Sequence, residues 1–228
     1  MNFNYREYVG NKNEFDFCSG TQFSLLFNCG LRENHKVLDF GCGCLRLGRL
    51  LIPYLDVENY FGYDPNKNLF SDFIKNEFSY EIIKKKQAVI VSNFDEIKNK
   101  FDFIIAHSIF SHTGLDLTIN YIKFMSETIK DDGVILATFY KSGNKSNTKN
   151  GWKYKECFAY SKKFIKKTAK NFGLTVVELN WWHPRQTWFA LYKQYRDVPT
   201  EIGRPVLNID DLVVKKYYKN FPDKYFKD

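Results

Sequence analysis

Several residue groups in this 228-residue chain have types and spacings suited to chemistry. The first is Asp39-x-Gly41-x-Gly43, which follows the apolar pair Val37-Leu38 and precedes an amphipathic stretch. Glycine lets a backbone turn sharply and approach a ligand, and a helix start offers unpaired N–H groups. A strand, glycine loop and helix in this order suit an adenosine-containing cofactor. The dinucleotide fingerprint needs a third glycine three residues after the second. Arg46 stands there, which excludes the NAD and FAD readings. Asp64 closes the run Asn59–Asp64, and a carboxylate at such a strand tip can accept both hydroxyls of a ribose. Ahead of Pro65 and Asn66 it equally suits the negative charge favoured at a helix start. Asn93-Phe94 ends a third apolar run and offers a polar edge and an aromatic face to an adenine.

Two of the four histidines, His107 and His112, fall within the eight residues HSIFSHTG. Imidazole titrates near neutrality, so a proton leaving a hydroxyl or amine nucleophile can be taken here. One ring can instead cap the preceding strand or the next helix. The loop Trp181-Trp182-His183-Pro184-Arg185-Gln186 joins two further apolar runs. Arginine gives bidentate contacts to phosphate or carboxylate, and tryptophan faces stack on sugar or base rings. Such a loop fits an anionic or sugar-bearing substrate, or a tryptophan-rich hairpin that packs a sheet edge.

The string GCG-x-LR-x-GR-x-LIPYL, residues 41–55, resembles motif I of class I S-adenosylmethionine (SAM) methyltransferases, in a bacterial subfamily where Leu-Arg is usual. Most members of the class carry another glycine where this chain has Leu45. FDFIIAHSIFSHTG is similar to the FD-x-I-x-A-x-S-x-F-[ST]-H pattern of the same enzymes. The W-x-HP-x-x-Q-[ST]-W signature is matched at residues 181–188 with one residue fewer. Gly20-Thr21-Gln22-Phe23 and Gly151-Trp152-x-Tyr154 also look like the subfamily.

The resemblance implies transfer of the sulfonium methyl of SAM, leaving S-adenosylhomocysteine (SAH), with no metal. It implies cofactor contacts from Gly20, Gln22, Asp39, Gly41, Cys42, Gly43, Arg46, Asp64, Pro65, Asn93, Phe94 and His107. His112 is expected as base or substrate orienter, with His107 beside it in a more structural role at the reacting centre. Tyr140, Trp152, His183, Arg185 and Gln186 join His112 on the substrate side.

These residues need a scaffold that delivers loop after loop to one edge. Strands at Val37-Leu38, Asn59–Asp64, Ala88–Ser92, Phe101–Ala106 and Gly133–Phe139 alternate with helical stretches. That alternation predicts an α/β, doubly wound, mostly parallel sheet with helices on both faces. Leu174–Asn180 and Thr187–Tyr192 read as an antiparallel C-terminal pair, which makes a Rossmann-like sheet of seven strands. Helices are expected near Thr118–Ile129 and Ser161–Phe172, each with an apolar stripe. Lys130-Asp131-Asp132 reads as a turn before the fifth strand. Residues 1–33 form an N-terminal helical cap, in which the G-x-Q-F segment precedes an apolar helix. Residues 34–194 hold the main domain, with 140–160 as a substrate-side insertion too long for a simple link. Residues 195–228 form a basic tail with an amphipathic stretch at Ile209–Tyr218.

Composition narrows the partners. Hydrophobic content of 44% supports one packed domain at this length. No apolar run approaches the ~18 residues of a membrane span. Five cysteines without a C-x-x-C pair argue for a reduced, cytoplasmic setting rather than a disulfide framework or a metal. The net charge of +8 is spread over solvated helix faces, and no nucleic-acid motif accompanies it. The leading expectation is an O-methyltransferase for a sugar, sugar nucleotide or phosphorylated metabolite, as in surface-polysaccharide or capsule biosynthesis. An RNA or protein methyltransferase, and a non-catalytic SAM-binding partner subunit, are the alternatives.

Overall fold

The computed structural model describes residues 5–195 and residue 198. Its strands are β1 (Val37–Phe40), β2 (Tyr60–Tyr63), β3 (Val89–Val91), β4 (Phe101–Ala106), β5 (Ile129–Ser142), β6 (Ala159–Ser161), β7 (Thr175–Leu179) and β8 (Thr187–Tyr192). The helices are α1 (Tyr5–Tyr8), α2 (Phe15–Asn28), α3 (Gly48–Tyr54), α4 (Lys67–Asn76), α5 (Tyr80–Lys86), α6 (Leu115–Thr128) and α7 (Lys162–Asn171). The main sheet runs β3-β2-β1-β4-β5-β8-β7. Pairing is parallel from β3 through β5 and antiparallel for β5–β8 and β8–β7.

Alternation along each strand divides the core between the two faces. Val37, Phe103, Ile105, Val134 and Leu136 pack with Leu25 of α2, Leu51 of α3 and Leu69 of α4. Leu38, Ile104, Ile135 and Ala137 pack with Ile122 and Met125 of α6 and Ile165 and Ala169 of α7. Side chains one residue apart point to opposite faces of a strand, so nearly continuous apolar runs are what a sheet covered on both sides requires. Of the stripes read from the sequence, α6 buries Thr118, Ile122 and Met125 and α7 buries Ile165, Thr168 and Ala169, while Ile129 opens β5 and Phe172 is the half-buried C-cap of α7.

The structure departs from the sequence reading at three places. Lys130-Asp131-Asp132 is not a turn but an irregularity inside β5. Phe101 pairs with Ile129 and Phe103 with Val134, so the extra residues bulge while both ends keep the ladder. At its far end β5 continues through Ser142, because Tyr140–Ser142 gains a parallel partner in the short strand β6, an eighth strand. Gly20-Thr21-Gln22-Phe23 lies within α2 rather than ahead of a helix. The Ile209–Tyr218 stretch lies outside the described residues.

Leu45 takes a left-handed conformation, φ +60°, at the position where the resemblance calls for glycine. Its side chain is fully buried in the core facing α2 and α3. A β-carbon in this conformation costs about 1–2 kcal/mol, which burial of a leucine offsets at about 1.5–3 kcal/mol. Leu45→Ala keeps the strain and loses the packing, whereas Leu45→Gly loses the packing but sheds the strain. Chemical denaturation is therefore expected to rank the glycine variant above the alanine variant, the reverse of the usual order in a core. The opposite ranking would mean that the left-handed turn at residue 45 carries no strain.

Candidate active site

The carboxyl ends of β1, β2 and β4 open onto one cavity of about 460 Å³. The strand order reverses direction between β1 and β4, and in open α/β sheets ligands sit at such a switch point. Gln22, Asp39, Gly41, Cys42, Gly43, Arg46, Asp64 and Pro65 line this cavity. His107, His112, Tyr140, Trp152, Arg185 and Gln186 line it as well.

The glycine loop is fastened to the end of β2. Gly41 N and Cys42 N both donate to Tyr63 O, at 2.7 and 2.9 Å, and Gly43 N donates to Asp64 Oδ2 at 2.9 Å. Gly41 and Gly43 have φ of +84° and +54°, which a side chain resists. A Cβ at Gly41 would fall 2.0 Å from Ile109 Cδ1. The N–H groups of Gly41, Cys42 and Gly43 are thus committed to the protein, and α3 starts only at Gly48. Asp64 also accepts from Asn66 N at 2.9 Å through Oδ1, so its carboxylate is locked in place at the cavity.

Burial pushes the Asp39 carboxyl up to about 7, against the hydrogen bond that Tyr60 donates to Oδ2 at 3.0 Å. Burial also lifts the Cys42 thiol well above its usual range and that of Cys44 to about 12, so neither is a thiolate at neutral pH. The Asp39 shift has a consequence for stability. Folded Asp39 keeps a proton that the unfolded chain releases near pH 3.8. Stability from this group is present at low pH and is lost as pH rises from about 4 to about 7. A ligand carrying positive charge pulls Asp39 toward its ionised form. SAM affinity is therefore expected to increase with pH between 6 and 8, and Asp39→Asn to flatten both the stability and the affinity profiles. Calorimetric titration across that range checks this, and an unchanged slope in the variant would remove Asp39 as the source.

The three histidines near the cavity have distinct proton arrangements. His107 Nδ1 accepts from Arg46 Nη2 at 2.9 Å, and burial, then Arg46 and His183, hold its pKa well below the usual range. His107 is a neutral ring with its proton on Nε2. His183 Nδ1 accepts from the backbone N–H groups of Arg185 and Gln186 at 3.1 and 2.9 Å. Its pKa is pushed down to about 3 by burial, Arg46 and Arg185. His112 is the reverse case. Its Nδ1 lies 3.1 Å from Lys153 O and 3.0 Å from Glu156 O, both of which only accept. Nδ1 is therefore the donor to both carbonyls, and Nε2 makes no hydrogen bond among the described residues.

Four residues proposed from the sequence lie away from the cavity. Gly20 is exposed on α2 and has no atom near its Cβ position. Asn93 accepts from Asp95 N through Oδ1 and caps a short 3-10 turn. Phe94 is spent on an aromatic cluster with Tyr63, Tyr121 and Phe124. His183 pins the 183–186 turn, so it shapes the cavity wall without lining it.

The sequence reading also missed a wall. Tyr8, Val9 and Gly10 line the cavity as a strap. Val9 O accepts from Arg46 Nη1 at 2.9 Å, Tyr154 Oη donates to Tyr8 O at 2.6 Å, and the Tyr8 and Tyr154 rings stack at 5.0 Å. The strap is anchored at its start by Tyr5 and Arg6 on Glu77. Ser108 and Ser111, between the two histidines, line the cavity as well. A polar amino terminus gives no periodic signal. The hint available was the density of tyrosines in Tyr5–Tyr8 and at Tyr154.

Residues 38–135 match the family described as a methyltransferase domain. No curated protein matches the sequence. Among solved structures, magnesium protoporphyrin IX methyltransferase from Synechocystis PCC 6803, with bound SAM, superposes with a TM-score of 0.60 at 12% identity, over 83% of this chain and 89% of that one. A TehB-like SAM-dependent methyltransferase from Corynebacterium glutamicum gives 0.58 at 16% identity, over 83% and 98%. A SAM-dependent methyltransferase from Clostridium acetobutylicum gives 0.53 at 13%, over 84% and 92%. At these identities the likeness is one of fold, shared with neighbours that bind or depend on SAM. Residues 38–135 thus match a methyltransferase-domain family, and the chain has a fold like that of SAM-dependent methyltransferases.

Proposed function

We propose that this protein transfers the methyl group of SAM to an oxygen of a small polar acceptor, a sugar, sugar nucleotide or phosphorylated metabolite. The observation that carries the reading is His112, a cavity-lining imidazole whose Nδ1 donates to two backbone carbonyls and whose Nε2 makes no hydrogen bond among the described residues. Other residues lining the cavity fit SAM by chemistry. Asp64 is a fixed carboxylate for a ribose diol, Arg46 a cation for the amino-acid carboxylate, and Asp39 an acid that ionises beside positive charge.

SAM, when bound, supplies an electrophilic methyl on its sulfonium sulfur. The chain's own task is to hold the nucleophile in line, an alignment that can account for ~7–11 kcal/mol of a barrier. His112 Nε2 takes the proton of an alcohol, a contribution of ~10²–10⁴-fold. Arg185 and Lys155 bring positive charge to the acceptor side, and Trp152 a ring face. These favour an acceptor with an anionic group and a flat or sugar ring.

The test uses SAM tritiated in its methyl group, the purified protein and a bacterial lysate separated by size. Label in the small-molecule pool supports this reading. Label confined to the large pool, and lost on nuclease or protease treatment, overturns it in favour of an RNA or protein acceptor. No label in either pool, with SAM bound, indicates a non-catalytic SAM-binding subunit.

A further inference from the structure

Gln186 and Ser108 form a hydrogen-bonding unit whose polarity can be worked out proton by proton. His183 Nδ1 accepts two backbone N–H groups, so its proton sits on Nε2 and points at Ser108 Oγ, 3.3 Å away. Gln186 Nε2 donates to the same Ser108 Oγ at 3.0 Å and to Ser111 Oγ at 3.4 Å. Ser111 has already given its own proton to Ser108 O at 3.0 Å, so it can only accept from Gln186. This fixes the amide with its nitrogen toward the serines. Two atoms are left over. Gln186 Oε1 is buried and has no donor among the described residues. Ser108 Oγ accepts twice, and its own proton has no acceptor among them.

Both residues line the cavity, as do His107 and His112. Ser108 is held at φ +60°, a conformation serine rarely adopts, with its N–H on Thr138 Oγ1 at 2.7 Å. Local strain of this kind concentrates at functional sites. A buried carbonyl oxygen left without a donor costs about 1–3 kcal/mol, and the pair Oε1 and Oγ–H offers one acceptor beside one donor.

Resting on the methyl-transfer reading, we propose that Gln186 Oε1 and Ser108 Oγ form a subsite for a hydroxyl group of the acceptor. The hydroxyl donates to Gln186 and accepts from Ser108. A carboxylate or phosphate, which can only accept, meets the bare Gln186 oxygen and is turned away toward Arg185 and Lys155. The acceptor then carries a hydroxyl separate from any anionic group, and the site tells the two apart by proton count rather than by charge.

Crystals of the SAH complex of the full chain, soaked in ethylene glycol and separately in sodium sulfate, test this directly. An alcohol oxygen is expected within hydrogen-bond reach of both Gln186 Oε1 and Ser108 Oγ, with no sulfate there. Sulfate bonded to Gln186, or no alcohol at the pair, overturns the subsite. Gln186→Met removes the oxygen yet leaves no buried donor unpaired. It should lose the glycol and cut transfer to the labelled small-molecule pool at least tenfold, with SAM affinity within twofold and an unlowered Tm. A lowered Tm with transfer retained would make Gln186 a structural tether and sink the proposal. Ser108→Ala should likewise lose the glycol, and glycol retained there would remove the donor half of the subsite. Glycol bound in the wild-type crystal with no methyl transfer to either pool would fault the methyl-transfer reading and leave the hydroxyl subsite standing.

Discussion

Asp64→Asn is expected to weaken SAM binding by at least ~100-fold in a calorimetric titration, the largest effect of any single cofactor-side substitution in this cavity. The carboxylate accepts one backbone N–H on each oxygen, from Gly43 and from Asn66. Each oxygen keeps a further lone pair for a ribose hydroxyl. Hydrogen bonds to a charged group contribute about 1.5–3 kcal/mol each, and 1.4 kcal/mol is tenfold in affinity. An asparagine has nearly the same shape, but whichever way its amide turns, the NH2 meets a backbone N–H. One loop anchor is lost along with one ribose acceptor. Burial already raises the Asp64 pKa, opposed by those two N–H groups, so the ionised form depends on them. Asp64→Glu keeps the charge but moves it by a methylene, away from Gly43 N. It should also fail to restore affinity. Binding within threefold of wild type in either variant would return Asp64 to the role of a helix-start acid with no cofactor contact.

How far the sequence carries this site depends on whether a residue acts locally or across the fold. Asp39, Gly41 and Gly43 are legible because glycine spacing after a strand has few other uses. Asp64 is legible because strand ends in a parallel sheet converge on one edge. The core helices were visible for the same kind of reason, as Ile122 and Met125 repeat at helical spacing and are buried together. What stayed hidden is made of partners distant in the chain. Asn93 and Phe94 sit at the right strand end, but β3 is short and at the sheet edge, and the Phe94 ring packs edge-on against Tyr121 and Phe124. The strap at Tyr8–Gly10 is set by a hydrogen bond from Arg46 and by Tyr154, 146 residues away. No local pattern encodes that. His183 and His112 look alike as sequence. Only the backbone groups around each ring decide that one Nδ1 accepts from its own turn and the other donates to a segment 41–44 residues away.

His112→Asn is the substitution that separates those possibilities for His112, and it is expected to lower kcat by about 10²-fold or more. The imidazole has two separable jobs. Nδ1–H ties the 107–114 loop to Lys153 O and Glu156 O, while Nε2, which makes no hydrogen bond among the described residues, is the proposed base. The same loop is further stitched by Lys153 N to His112 O at 2.9 Å and Phe158 N to Ser111 O at 2.8 Å. Asparagine can place its Nδ2 where Nδ1 stood, so the tie to the 153–156 segment survives and the fold of the acceptor wall with it. It has no basic nitrogen. Alanine removes both functions and lets the loop drift, which confounds positioning with proton transfer. If His112 is the base, asparagine and alanine lose kcat alike, SAM affinity stays within twofold, and the asparagine variant keeps the wild-type Tm. The loss should also shrink as pH rises, because a more acidic or more fully ionised nucleophile needs no base. If His112 only orients the loop, asparagine rescues most of the activity that alanine loses, at every pH. A metabolite whose acceptor oxygen is already ionised at neutral pH would give that second pattern, so the pair of variants also reports on the acceptor. An alcohol needs Nε2, and a phosphate does not.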